Sequence, residues 1–444
     1  MKSNISLGYI NKLAIPALIS GIAEPILSLT DTAIVGNVDV NPVESLAAVG
    51  IVGTFLSMLI WVLGQTRSAI SAIISQYLGA DQLNDVKHLP AQAILIVTLL
   101  SLFIILGTYP FANAIFKLYN AEGVILEYSV MYYRIRVIGF PFTLFTIAVF
   151  GTFRGLQNTY YPMVIATIGA VANIILDVIL VYGIHGILEP LYIEGAAYAS
   201  VIAQIFMALC SGYYLLKKTQ IPLMPTFPFN KEIPKFLLMI LNLFIRTLAL
   251  NITLYFATRF ATGYGKNYIA AYTIAINLWF LGAFIIDGYS SAGNIMSGKL
   301  FGAKQYRALI LLNKKLIKIG LVLGCVLAVA GGIIYKPVGL LFTKEPEVLQ
   351  RFYNVFWLVL IMQPICSVAF IFDGIFKGLG KMQTLRNVLL RATFLVFIPL
   401  LYTMDYFNFG LQGIFIALAF WMVARAIPLL ISFNKQFMPL VKKD

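Results

Sequence analysis

The sequence predicts an all-α membrane protein with twelve transmembrane helices, arranged as two parallel six-helix repeats related by a pseudo-two-fold along the membrane normal. Three observations predict it: composition, an internal repeat at constant offset, and a one-sided distribution of basic residues. Of 444 residues, 60% are hydrophobic and 11% charged, whereas an average chain is about one-quarter charged. Mean hydropathy is +0.88. Apolar runs long enough to cross a bilayer recur from end to end, which excludes a soluble globular domain.

The expected spans are 9–36, 46–79, 91–117, 124–152, 162–184, 195–216, 235–259, 268–300, 312–342, 349–376, 387–404 and 412–433. The first is followed by no small-residue cleavage site and contains Asp31, so it reads as a retained span and not a signal peptide. Connections are short except after Lys217, where KKTQIPLMPTFPFNKEIPK carries three prolines before Lys231 between basic ends. That composition marks a linker. The domain reading is therefore an amino-terminal lobe, 1–216, a cytoplasmic linker, 217–234, and a carboxy-terminal lobe, 235–444.

The two halves are related residue by residue. Ala47-Ala48 recur as Ala270-Ala271, Ser68-Ala69 as Ser291-Ala292, and Gly79-Ala80-x-Gln82 as Gly302-Ala303-x-Gln305. Pro141 recurs as Pro364 and Phe153-Arg154-Gly155-Leu156 as Phe376-Lys377-Gly378-Leu379, every pair 223 residues apart. A shared offset for Gly, Pro and Gln is not expected by chance among apolar residues. Six is an even number, so both halves enter the membrane in the same direction. Parallel repeats of this kind suit rocking about a central site better than a static pore.

The formal charge of +14 follows topology rather than nucleic-acid binding. With a cytoplasmic amino terminus and twelve spans, the cytoplasmic side carries about 21 Lys and Arg against about 6 outside. This is the positive-inside bias, and it puts both termini in the cytoplasm of a cell (inner) membrane protein. Cys210, Cys325 and Cys366 lie in apolar spans and read as small core residues. His88 and His185 are loop residues far apart, which gives a histidine-based metal site little support.

The first span, LAIPALISGIAEPILSLTDTAIVG, carries Glu24, Pro25 and Asp31. Seven positions at 100° bring the two acids within about 20° of one helical face, and Pro25 gives that helix a place to bend. In the fifth span, VANIILDVIL sets Asn173 and Asp177 one turn apart. Acids at membrane depth are costly and mark ion or proton sites by default. Two carboxyls in one dry space suit the uptake and release of a proton, or the oxygen ligation of sodium at Asp31, Asn173 and Asp177. A structural alternative has the same acids hydrogen-bonded to fix helix packing. The second half carries Arg246, Asp287 and Asp373, one Arg among two acids, read either as pocket residues or as a buried ion pair. Arg67, Arg134, Arg136 and Arg425 either snorkel or pair.

Two motif matches are discounted. Gly293-Asn-Ile-Met-Ser-Gly298-Lys299 has the spacing of a phosphate loop, but Leu300 stands where a magnesium-binding hydroxyl belongs and no strand precedes it. Asp81 and Asp85 resemble half of a metal-diphosphate motif without a second acidic cluster, and no HExxH occurs. No convincing catalytic set supports an enzyme.

Several stretches carry a resemblance. They are Thr30-Asp31-Thr32-Ala33-Ile34-Val35-Gly36, Arg67 to Ala80, Arg154-Gly155-Leu156-Gln157-Asn158-Thr159, Asn173 to Asp177, Ile245-Arg246-Thr247-Leu248, Ile286-Asp287-Gly288 and Phe372-Asp373-Gly374. Spread over both halves, they resemble the MATE family of multidrug and toxic compound extrusion transporters, and its DinF-like branch in particular. The resemblance implies two six-helix lobes around a cleft, exporting small organic compounds in exchange for protons or sodium without a resident cofactor. It implies that Asp31 is the main coupling acid, that Asn173 and Asp177 line the same pocket, and that Ser200 stands where relatives often have threonine. It also implies bending near Pro25, while Glu24 departs from the family pattern as a second titrating group. The expected partners are the bilayer and small organic substrates, with the protein a monomer. The alternative function is a flippase for a lipid-linked precursor, which would need a more basic cleft than these embedded acids provide.

Overall fold

The computed structural model describes residues 5–441, with the side chains of all of these except 24–29. Twelve long helices follow one another: α1 Leu7–Val35, α2 Pro42–Gly79, α3 Leu83–Thr108, α4 Gly123–Gly155, α5 Tyr160–Tyr182, α6 Tyr192–Lys218, α7 Ile233–Gly263, α8 Lys266–Gly302, α9 Tyr306–Phe342, α10 Pro346–Gly378, α11 Met382–Tyr406 and α12 Gly410–Val441. Eleven of them, α2 to α12, are long and apolar enough to cross a bilayer, and α1 contributes its apolar stretch Leu7–Ala23. The protein is therefore a multi-pass membrane protein, whose helices pair their own polar backbone groups away from water.

Interruptions fall at glycine and proline. α2 breaks between Leu63 and Thr66, at Gly64. The third expected span, 91–117, ends early at Thr108, because Pro110 lacks an N–H to continue the helix. Ala112–Lys117 then forms a separate short helix. In α4 a 3-10 turn, Val137–Gly139, precedes Pro141, whereas its repeat counterpart Pro364 lies inside the continuous α10. The stretch Gly293–Lys299 lies within α8, and most of it is buried, so it is no phosphate loop. Cys366 is buried and Cys210 half-buried, but Cys325 is exposed on α9, which corrects its reading as a core residue.

Contacts divide the chain into two compact units. One comprises the chain up to Leu18, Leu78–Asp81 and everything from Leu238 onward; the other comprises Ile19–Tyr77 and Gln82–Leu237. The first turns of α1 thus pack with α8 and α9. Lys315 Nζ donates to the Ile5 carbonyl at 2.7 Å, Tyr289 OH donates to Asn11 Oδ1 at 3.2 Å, and Gly288 lets α8 approach Ala14 and Leu18. In the other unit the segment after Lys218 is tied down by Gln92, whose Nε2 donates to the Thr226 carbonyl at 2.6 Å and whose Oε1 accepts from Asn230 N at 2.8 Å.

The repeat is visible in the packing of each unit. Gly151 and Gly155 of α4 press on the backbone of Arg67 and on Ser71 and Ile74 of α2. At the same offset, Gly374 and Gly378 of α10 press on the carbonyls of Ser290 and Asn294 of α8. Small residues that bring two helix backbones together are the usual adhesive where lipid removes the hydrophobic drive for association. A methyl at position 374 would collide with the Ser290 carbonyl. Gly374→Ala should therefore lower stability by about 1–3 kcal/mol, read as an earlier detergent melting transition. Gly263→Ala, with nothing within 4 Å of the added carbon, should leave the transition in place.

Candidate functional site

Four of the residues singled out in the sequence converge in the unit that holds α2 to α6. Asp31 on the last turns of α1, Asn173 and Asp177 on α5, and Ser200 on α6 are all at least 96% buried. Ser200 Oγ donates to Asp31 Oδ2 at 3.0 Å. Asn173 Nδ2 donates to Asp177 Oδ2 at 2.9 Å, as the one-turn spacing requires. The carboxyls of Asp31 and Asp177 themselves approach to hydrogen-bonding range. Two ionised carboxylates are acceptors only, so this approach calls for a proton or a cation between them. Oδ1 of each acid meets no donor among the described residues.

Two further residues belong to the site and were not assigned to it from sequence. Tyr132 on α4 is buried and lies near enough to both acids to feel their charge. One turn later the guanidinium of Arg136 lies 5.8 Å from the Tyr132 ring centroid and acts electrostatically on Asp177. Its Nε has no hydrogen-bond partner among the described residues. The available signal was an arginine inside an apolar span with an aromatic residue one turn away. Spacing alone could not aim either side chain at α1 and α5. The side chains of Glu24 and Pro25 lie outside the described residues, so the expectations placed on them stay where the sequence left them.

The other unit holds a different constellation. Arg246 of α7 and Arg425 of α12 both donate to Oδ2 of Asp373 on α10, the latter at 2.7 Å. All three side chains are buried, and Arg425 lies over the rings of Trp421 at 4.7 Å and Phe370 at 5.5 Å. The expected grouping of one Arg among two acids is corrected to two Arg on one acid. Asp287 is exposed on α8 and takes no part, because its position turns it to the surface between the buried Ile286 and Gly288. Arg425, left open by the sequence, completes the cluster.

The family model MatE matches residues 16–179 and 239–403, most of each half and the larger part of the chain. The chain belongs to the MatE family. Among its relatives, Protein DETOXIFICATION 43 of Arabidopsis thaliana is 29% identical over 67% of this chain, which spans about half, 55%, of that relative's length. DNA damage-inducible protein F of Escherichia coli strain K12 is 25% identical over 84% of this chain and 81% of its own. Multidrug export protein MepA of Staphylococcus aureus is 26% identical over 77% of this chain and 74% of its own. A crystal structure of a MATE in the bent conformation superposes with a TM-score of 0.89 at 22% identity, over 98% of this chain and 96% of that one, and shares its fold. The MatE match spans both repeats.

Proposed function

We propose that this MatE protein is a secondary antiporter that exports small organic, drug-like and often cationic compounds in exchange for protons or sodium by alternating access. The observation that carries the reading is the contact between the buried carboxyls of Asp31 and Asp177, flanked by Ser200 and Asn173. A pair of acids in a dry space holds one positive charge well and none badly, so its occupancy can bias a helical unit between two states. The name of the multidrug export relative supports the substrate class. The basic-residue bias supports a cell-membrane location with both termini cytoplasmic.

A membrane potential of about 150 mV supplies roughly 3.5 kcal/mol per charge, enough for a concentration ratio of a few hundred. One or two cations per cycle therefore suffice for export. The test is transport of a fluorescent organic cation by purified protein in liposomes, with proton and sodium gradients imposed separately. One of the two gradients should drive uptake against the substrate gradient; failure of both overturns the proposal.

The flanking residues tune the coupling ion. Ser200→Ala removes a hydrogen bond donated to the Asp31 carboxylate, worth about 1 kcal/mol; that bond favours the bare anion, so its loss should strengthen apparent affinity for the driving cation by about fivefold. Arg136→Gln removes a fixed positive charge beside Asp177 and should strengthen it by a similar or smaller factor. Cation dependence of the transport rate reads both, and shifts in opposite directions for the two variants would contradict these roles.

A further inference from the structure

A groove of about 490 Å³ opens on the unit that contains the first turns of α1, α8 and α9. Its walls are apolar along Leu7 and Ile10 of α1 and along Val322 and Val326 of α9, and its rim carries Lys315 and Lys318. From Lys315 to Val326 is eleven residues, or about 16 Å of helix. That is half of a hydrocarbon core of about 30 Å, the depth of one leaflet. Leu7, Val322 and Val326 are each more than half exposed, an apolar face open to lipid in a membrane-spanning helix.

Among the described residues, the charged side chains lining the groove are Lys315 and Lys318, both of one sign. α9 carries Arg307, Lys314, Lys315 and Lys318 near its first turns and no acid from Tyr306 to Phe342, and the adjoining turns of α1 add Lys12. Lys315 is held at the rim by its bond to the Ile5 carbonyl, and Lys318 is exposed less than one turn further on. Asp287 on α8 is two positions before the groove residue Tyr289, about 200° around that helix, and does not offset the rim. The positive-inside bias places this rim at the cytoplasmic surface, where anionic lipids concentrate and basic pockets between helices hold their headgroups.

We infer that this groove is a binding site for one anionic phospholipid of the cytoplasmic leaflet. Its phosphate sits on Lys315 and Lys318, and one acyl chain lies along Val322 and Val326 against Leu7 and Ile10. A soluble phosphate would satisfy the rim and leave the leaflet-deep apolar wall unused, so an amphiphile fits both parts. The bound lipid bridges α1 and α9 within this unit.

The test uses the full chain, delipidated in detergent, with phosphatidylglycerol as the probe and native mass spectrometry and the melting transition as readouts. Wild type should retain one phosphatidylglycerol and melt later with it, and phosphatidylcholine should bind at least about tenfold more weakly. Lys315→Gln with Lys318→Gln should weaken phosphatidylglycerol about ten- to thirtyfold. Lys318→Gln alone, which leaves the Ile5 contact intact, should give a smaller loss in the same direction. Val322→Trp should block the lipid with both lysines present, and glycerol phosphate should not displace it. Equal retention by the double variant, equal binding of phosphatidylcholine, or displacement by glycerol phosphate would each overturn the assignment.

Discussion

Asp31→Asn should bind substrate within about twofold of wild type, yet lose the roughly 3.5 kcal/mol per charge that a 150 mV potential provides, and with it an accumulation ratio of a few hundred. The asparagine amide keeps a partner for Ser200 and about the same volume, so packing around this buried position is preserved. What it cannot do is change charge with the bound cation. Its amide would also donate to Asp177 and satisfy, in every state, the contact that otherwise calls for a proton or a cation. Substrate binding to the purified variant and cation-driven uptake in liposomes separate the two effects. Uptake at the wild-type rate would remove Asp31 from the coupling mechanism.

Asp373→Asn should destabilise the protein by about 3–5 kcal/mol, more than Gly374→Ala, because it strands two buried guanidiniums on a neutral partner. For a unit of this size the melting transition should fall by on the order of 10 °C. Replacing all three members together, Arg246→Met, Asp373→Leu and Arg425→Met, should recover much of that loss, since the desolvation of every charge disappears with the pairing. Asp287→Asn in the same unit should stay within about 0.5 kcal/mol of wild type, as exposed positions usually do. A melting curve for Asp373→Asn that overlays the wild type would show the cluster to be solvated and the reading of it as a buried network to be mistaken.

The contrast between these two sites shows what one-dimensional information carries. Asn173 and Asp177 are one turn apart on a single helix, so their hydrogen bond was legible from spacing alone. The pairing of Asp31 with Ser200 joins residues 169 apart; periodicity offered no route to it, and only the family resemblance linked α1 to α6. Tyr132 and Arg136 escaped because an arginine in an apolar span can snorkel, pair or line a site, and the choice depends on which helix face is turned inward. For the same reason Asp287, expected with Arg246 and Asp373, lies outside their cluster, and Arg425, left open by the sequence, joins it.

By itself the amino-acid order determined that the chain crosses the membrane about twelve times, that it does so as two copies of one six-helix plan, and which intramembrane acids are costly enough to matter. Those properties follow from hydropathy, from a fixed offset of Gly and Pro, and from the price of burying charge, all of which are local or additive along the chain. Only the tertiary structure decided which of the charged residues meet. Helix rotation brings the carboxyls of Asp31 and Asp177 together, gathers two arginines onto Asp373 and leaves Asp287 outside, and that rotation is set by where glycine lets one helix backbone lie against another.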